Sequence, residues 1–358
     1  MLSTTPPRPT DGDPGAFLEG RFLTRKTLIS FFVAFAFLFF LLFRVLRVDI
    51  GALLDNLRNS NPAWYALALI VYYAGFPLRA WRWQVLLRNT GFSKASDLPS
   101  RRRLGEAIVL SWFFNCIMPA KLGDAYRAYL LRKDSRVGFM TGLGTVLAER
   151  AVDIVILFLL LVMAAAIGLG GWGSRTSEAV VATGLALTIG VVAGLVFVQR
   201  FGQAIQRRLP ARLQPLFSDV HRGVLGSLKQ LPLVAVLSIL IWSTEVGRLF
   251  LIAQSLGFSV SFSLILFAAM ATALLTAIPF TPAGLGLVEG GVIGILVTSM
   301  SRTDAASVAL LDRTLTYYSF LIVGVAILVV RGSWGARIRG TWRRRFKAQA
   351  AGADRVGH

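Results

Sequence analysis

The chain has 358 residues, 55% of them hydrophobic and 16% charged, with a mean hydropathy of +0.65 and a formal net charge of +20. A soluble domain carries about 25% charge, so this composition excludes a water-soluble single-core enzyme, a disordered chain and a fibrous one. It predicts an all-α integral membrane protein. The single cysteine, Cys116, excludes an intrachain disulfide, and the two histidines, His221 and His358, lie too far apart in sequence to suggest a Cys/His metal cluster.

In chain order, residues 1–25 are polar and Pro-rich and read as a disordered cytoplasmic tail. The apolar run at 27–44 is long and no small-residue cleavage site follows it, so it reads as a retained span and not a signal peptide. A lipid-crossing helix needs about 20 mostly apolar residues. Five further segments qualify, at 62–78, 140–170, 178–198, 231–256 and 305–330, and make six spans within a membrane domain over 26–332. The stretch AVVATGLALTIGVVAGLVFV in the fourth carries no charge and reads as lipid-facing. Two other apolar stretches, 104–131 and 262–300, are broken by NCIMPAKLGDAYR and AIPFTPAGLGLVEGG. Their halves are short for a crossing. Each reads as a re-entrant hairpin of two half-helices, hinged at Pro119 and Pro282; a pair of full crossings would keep the same topological parity.

With the N-terminus placed in the cytoplasm, 30 of the 38 Lys and Arg residues fall in cytoplasmic segments (1–26, 79–103, 121–136, 199–230 and 331–358). This bias orients both termini to the cytoplasm and accounts for the positive charge without nucleic acid. The basic tail at 333–358 could add headgroup attraction of about 1 kcal/mol per basic residue near the surface. The 32-to-6 ratio of Arg to Lys suggests a GC-rich bacterial genome, and hence a bacterial inner membrane.

The chain repeats itself. RWQVLLRNTGFS at 82–93 matches RLFLIAQSLGFS at 248–259, PAKLG at 119–123 matches PAGLG at 282–286, and LAER at 147–150 matches LLDR at 310–313. The interval from Pro119 to Arg150 equals that from Pro282 to Arg313. The repeats span about 62–170 and 231–330, and three crossings between the hairpins invert the second relative to the first. Inverted repeats with broken helices are the design of many secondary transporters, whose site lies near the midplane between the repeats.

Charge inside a bilayer costs about 2.5–3.5 kcal/mol per residue on insertion scales, yet Glu106, Asp124, Glu149, Arg150, Asp153, Glu245, Arg248, Glu289, Asp312 and Arg313 all lie in membrane segments. They must pair, protonate or line a wet cavity. Glu149 and Asp153 share a helix face, and Glu245 and Arg248 are spaced to pair. A half-helix that starts just after a Pro–Gly tip points free N–H groups and a positive dipole end inward. We therefore expect Lys121, Gly123, Arg127, Arg150, Gly284, Gly286 and Arg313 to bind an anionic headgroup. Asp124, Glu149, Asp153, Glu245, Arg248, Glu289 and Asp312 are expected to balance charge or couple ions; for Asp124 and Glu289 the sequence leaves three roles open, capping the half-helices, contacting a cationic part of a ligand, or carrying a proton.

MPAKLGDAYRAYLL, VLAERAVDIV, IPFTPAGLGLVEGG and LLDRTLTYY resemble the membrane domain of the lysylphosphatidylglycerol synthase (flippase-like) family over roughly residues 45–330. Well-known members fuse this domain to a soluble aminoacyltransferase, and the membrane part is associated with moving the product lipid across the bilayer. The resemblance implies a stand-alone membrane domain here, because only a short basic stretch follows the last span. Ala120 and Lys121 stand where many relatives have glycine.

The expected function is translocation of a phospholipid or other anionic-headgroup lipid between leaflets, passive or ion-coupled. An ion-coupled transporter of a small solute and a non-transport assembly protein are the alternatives. The expected partners are membrane lipids, anionic or aminoacylated, with a homo-oligomer also possible. No H-E-x-x-H or G-x-S-x-G motif is present, so no enzymatic activity and no cofactor or metal are expected. The GLG at 142–144 reads as a helix-packing feature and not a phosphate loop.

Overall fold

The computed structural model describes residues 48–92, 97–118, 121–168, 175–277 and 284–331, and all regular structure among them is helical. The expected first span at 27–44, both tails and the hinge prolines Pro119 and Pro282 lie outside the described residues.

Helix α1 (Ile50–Arg58) is short and amphipathic, and Asp49 caps it by accepting from the Gly51 and Ala52 amides. Helix α2 (Pro62–Asn89) starts with Asn61 as its cap and Pro62 in its first turn, where a missing N–H is harmless. The two half-helices α3 (Arg101–Ile117) and α4 (Leu122–Asp134) follow. The long helices α5 (Phe139–Gly168) and α6 (Arg175–Arg208) come next, then the surface helix α7 (Gln214–Ser227) and α8 (Leu231–Ser255). The second pair of short helices, α9 (Phe262–Ala277) and α10 (Leu287–Leu296), leads into α11 (Arg302–Arg331), which is interrupted by one π-helical turn at Thr314–Tyr318.

Among the described residues, four helical segments are long and apolar enough to cross a membrane: Phe139–Ile167, Val181–Arg208, Gln214–Ser255 and Arg302–Arg331. Helix α2 is equally long but carries Arg79 and Arg82 in its interior-facing half. This corrects the sequence reading, which ended the span at residue 78 and assigned 79–103 to a cytoplasmic loop. The helix runs eleven residues further because its arginines are neutralised from other helices. Arg79 and Arg82 are 4% and 2% exposed. Helix α6 turns Leu185, Ile189, Val192, Val196 and Phe197 outward, as its uncharged stretch predicts for a lipid-facing span.

Polar contacts sort the chain into two ends. At one, Asn61 donates its backbone N–H to the Ser255 carbonyl at 2.6 Å, and the Asn56 amide donates to Asp304 Oδ1 and Ser307 Oγ at 3.0 and 3.1 Å. At the other, Asn89 donates to the Ser227 carbonyl at 2.9 Å, and Arg101 Nε donates to Gln84 Oε1 at 2.7 Å. The start of α2 thus meets the end of α8, and the end of α2 the start of α8, so the two helices run antiparallel.

The hairpins enter from opposite ends. Arg331, at the close of α11, pairs with both Glu106 in the second turn of α3 (3.8 Å) and Asp134 at the end of α4 (2.9 Å). The two ends of the first hairpin therefore lie at one level, as they do both in a re-entrant hairpin and in a pair of crossings. The second hairpin begins beside the end of α8, where the Phe250 and Phe262 rings lie 6.3 Å apart, and ends before the start of α11 at the same end.

Small residues bring the elements close. A Cβ on Gly123 would lie 1.9 Å from the Ser111 carbonyl, so α4 packs on α3 only because that position is glycine. Gly144 meets the Gly223 Cα at 2.8 Å from an added Cβ, so the GLG segment serves helix packing between α5 and α7, as its sequence suggests. Among the described residues three apolar clusters fill the interior: one around Ile252, Phe267 and Ile293, one around Trp83, Ile108 and Phe320, and a smaller one around Leu86, Ile156 and Leu237.

Candidate functional site: a cation-lined cavity between the hairpins

The interior charges form ion pairs that repeat. In the first half, Arg82 on α2 binds Asp153 at 2.5 Å and Glu149 at 2.9 Å, both on α5. In the second half, Arg248 on α8 binds Asp312 on α11, and also Glu245 at 3.2 Å. At the two hairpins, Arg150 binds Asp124 at 3.1 Å and Arg313 binds Glu289 at 2.6 Å. Between the halves, Arg79 binds Glu245 at 2.5 Å. The bilayer cost of each of these paired charges is thus met by a neighbour of opposite sign, as desolvated charges require.

The half-helices are capped differently. Glu289 accepts the Gly286 backbone N–H at 2.7 Å while its other oxygen takes Arg313 Nε, so it closes the start of α10. Asp124 instead accepts from Ser111 and Asn115, each at 3.2 Å, and from Arg150. The Gly123 N–H goes to Asn115 Oδ1 at 2.9 Å. Lys121 precedes α4 with φ 53° and ψ 38°, the left-handed region, and Gly284 holds φ 68° at the matching place in the second hairpin.

A cavity of about 190 Å³ opens where the hairpins converge. Met118 and Lys121 of the first hairpin and Gly284 of the second reach it, together with Arg150, Arg248, Arg313, Glu245 and Asp312. Trp112, Trp242 and Tyr72 supply aromatic wall, and the Arg248 guanidinium sits 5.2 Å above the Tyr72 ring. Thr316 of the π-helical turn also lines it. Such turns occur frequently at functional sites.

The structure therefore gathers Lys121, Arg150, Gly284, Arg313, Glu245, Arg248 and Asp312 around one space. It places other expected residues elsewhere. Arg127 is 1% exposed, bonded to Glu149 at 2.9 Å and stacked 4.5 Å over Trp83, and it does not line the cavity. Glu149 and Asp153 stand in the same enclosed cluster around Arg82. Gly123, Gly286, Asp124 and Glu289 do not line the cavity, although Asp124 and Glu289 bond its lining residues Arg150 and Arg313. Sequence reasoning missed Arg79 and Arg82. Arg82 opened the matched segment at 82–93, and its partner in that match, Arg248, was already placed in a span; that equivalence was the available signal.

A comparison with known proteins identifies the scaffold. The model of the lysylphosphatidylglycerol synthase TM region matches residues 27–324. The chain belongs to that family. It is 30% identical to a UPF0104 membrane protein of Methanocaldococcus jannaschii over 61% of this chain and 94% of that protein. A second UPF0104 membrane protein, from Methanothermobacter thermautotrophicus, is 25% identical over 81% of this chain and 91% of its own length. The glycosyltransferase AglD of Haloferax volcanii is 24% identical over 79% of this chain, but the match covers only 51% of that protein. No solved structure matches. These relatives are archaeal, and the family assignment supports a multi-pass membrane protein.

Proposed function

We propose that the protein moves an anionic-headgroup lipid between leaflets, passively or coupled to an ion, with no catalytic step of its own. The observation that carries this reading is the cavity at the meeting of two oppositely entering hairpins, with Lys121, Arg150, Arg248 and Arg313 on its wall. Such a site is reached from both membrane faces by symmetry-related elements, which is what alternating access requires. The headgroup phosphate would meet Arg150 and Arg313, the arginines that follow the two hairpins, while Asp124 and Glu289 hold them in place. The end that carries Asn89, Asp134 and Arg331 is also where most basic residues lie, and the positive-inside rule puts it in the cytoplasm.

The test is movement of a fluorescent anionic phospholipid in reconstituted vesicles. Arg150→Ala and Arg313→Ala should each abolish movement while the protein still inserts. Wild-type rates in both variants would overturn the anion-site reading.

A further inference from the structure

We infer that Lys121 is the residue that selects ligand charge at this site, matching the cavity to a phosphodiester monoanion. This rests on the anionic-ligand reading above and narrows it.

The first observation is a charge count. Among the described residues, the interior ion pairs use six arginines (79, 82, 127, 150, 248 and 313) and six carboxylates (124, 149, 153, 245, 289 and 312). Lys121 is the seventh interior cation, and among the described residues it has neither an ion pair nor a hydrogen bond. Asp124, three residues on, is occupied by Arg150, Ser111 and Asn115. An occupant carrying one negative charge brings the interior to neutrality, and a zwitterionic occupant leaves the lysine uncompensated in a low-dielectric setting.

The second observation is the lysine's backbone. Lys121 is the one non-glycine residue with positive φ among those described, and the matching position of the second hairpin is Gly284. Glycine adopts this conformation without strain and lysine does not. A strained non-glycine residue on a cavity wall is a feature of functional sites. The side chain that costs this strain is the same one that supplies the unmatched charge.

The experiment compares initial rates of fluorescent phosphatidylglycerol and phosphatidylcholine in vesicles for wild type, Lys121→Gln and Lys121→Arg. Wild type should favour the monoanion, Lys121→Gln should lower that preference about tenfold, and Lys121→Arg should keep most of it. An unchanged preference in Lys121→Gln overturns the inference while leaving lipid movement intact. If wild type moves neither lipid, the lipid reading fails by itself. The inference is then read from fluorescence of Trp112 and Trp242 on adding soluble glycerophosphoglycerol: quenching in wild type that is lost in Lys121→Gln upholds it for a soluble phosphodiester, and the same response in both proteins overturns it.

Discussion

Arg79 and Glu245 meet at 2.5 Å across the antiparallel pair α2 and α8, and the 166 residues between them equal the interval between Arg82 and Arg248. Each is thus the other's counterpart in the opposite repeat. A residue that faces its own counterpart must differ from it in charge, since two arginines or two glutamates would repel. The sequence diverges at that point from strict repetition, and the central contact of the fold becomes attractive. Both side chains are at least nine-tenths buried.

Breaking that contact from one side leaves a buried charge. Arg79→Met and Glu245→Gln should each lower thermal stability in detergent, by about 3–5 kcal/mol for loss of one partner of a buried pair. The double variant should cost less than the sum, with a coupling of about 0.5–3 kcal/mol. Additive losses would show that the pair is not energetically joined. Arg248, also bonded to Glu245, makes the glutamate variant the more damaging of the two.

Gly123→Ala tests the packing of the first hairpin. The new methyl would run into the Ser111 carbonyl and the Asn115 amide, both of which are fixed by the hairpin itself. Overpacking of this kind costs about 1–3 kcal/mol. The melting temperature should fall, and a thiol-reactive probe should reach the buried Cys116 faster. At Gly190, in the middle of α6, where an added Cβ meets nothing within 4 Å, alanine should not lower the melting temperature or speed labelling.

Lys121→Gly separates stability from selectivity. Removing a side chain from a left-handed position should stabilise the folded protein by about 1 kcal/mol. The same change deletes the unmatched cation. A rise in melting temperature together with a lost preference for anionic lipid is the expected combination. A fall in melting temperature would mean that the side chain contributes more to packing than its backbone costs.

Glu289→Ala removes two partners at once: the acceptor for the Gly286 N–H and the counter-charge of Arg313. Stability should drop by about 2–4 kcal/mol. Glu289→Gln can still accept from Gly286 and should recover the cap but not the ion pair, so its loss should be the smaller. Equal losses in the two variants would assign the whole effect to the charge.

Much of this arrangement was legible in the sequence because it is local or periodic. The segments PAKLG and PAGLG carry helix-breaking residue types in the sequence itself, and the acid–Arg steps at 149–150 and 312–313 recur at a fixed distance from them. The arginines of α2 were not legible in the same way. An apolar run followed by Arg79 and Arg82 looks like a helix leaving the membrane, and only partners 166 and 71 residues away keep it inside. Arg127 shows the converse. Its position on α4 suits a hairpin site, but Trp83 and Glu149 draw it into the first half. The positions matching Trp83 and Asp153 in the second half are Leu249 and Thr316, and both line the cavity. Smaller, uncharged side chains leave open space in one repeat where the other is filled.

The half-helices also bear on how far a charge must travel. Helix α4 has 13 residues and α10 has 10, giving lengths of about 20 and 15 Å, against a hydrocarbon slab of about 30 Å. The other arms, α3 and α9, have 17 and 16 residues, about 25 Å each, so the two arms of each hairpin differ in length and the returning arm falls well short of that slab. On the proposed lipid movement, a headgroup released from where the hairpins meet has less than the full insulating thickness ahead of it on either side. Because the dielectric barrier grows with the depth of oil to be crossed, two short helices end to end lower it more than one long helix lined with the same residues.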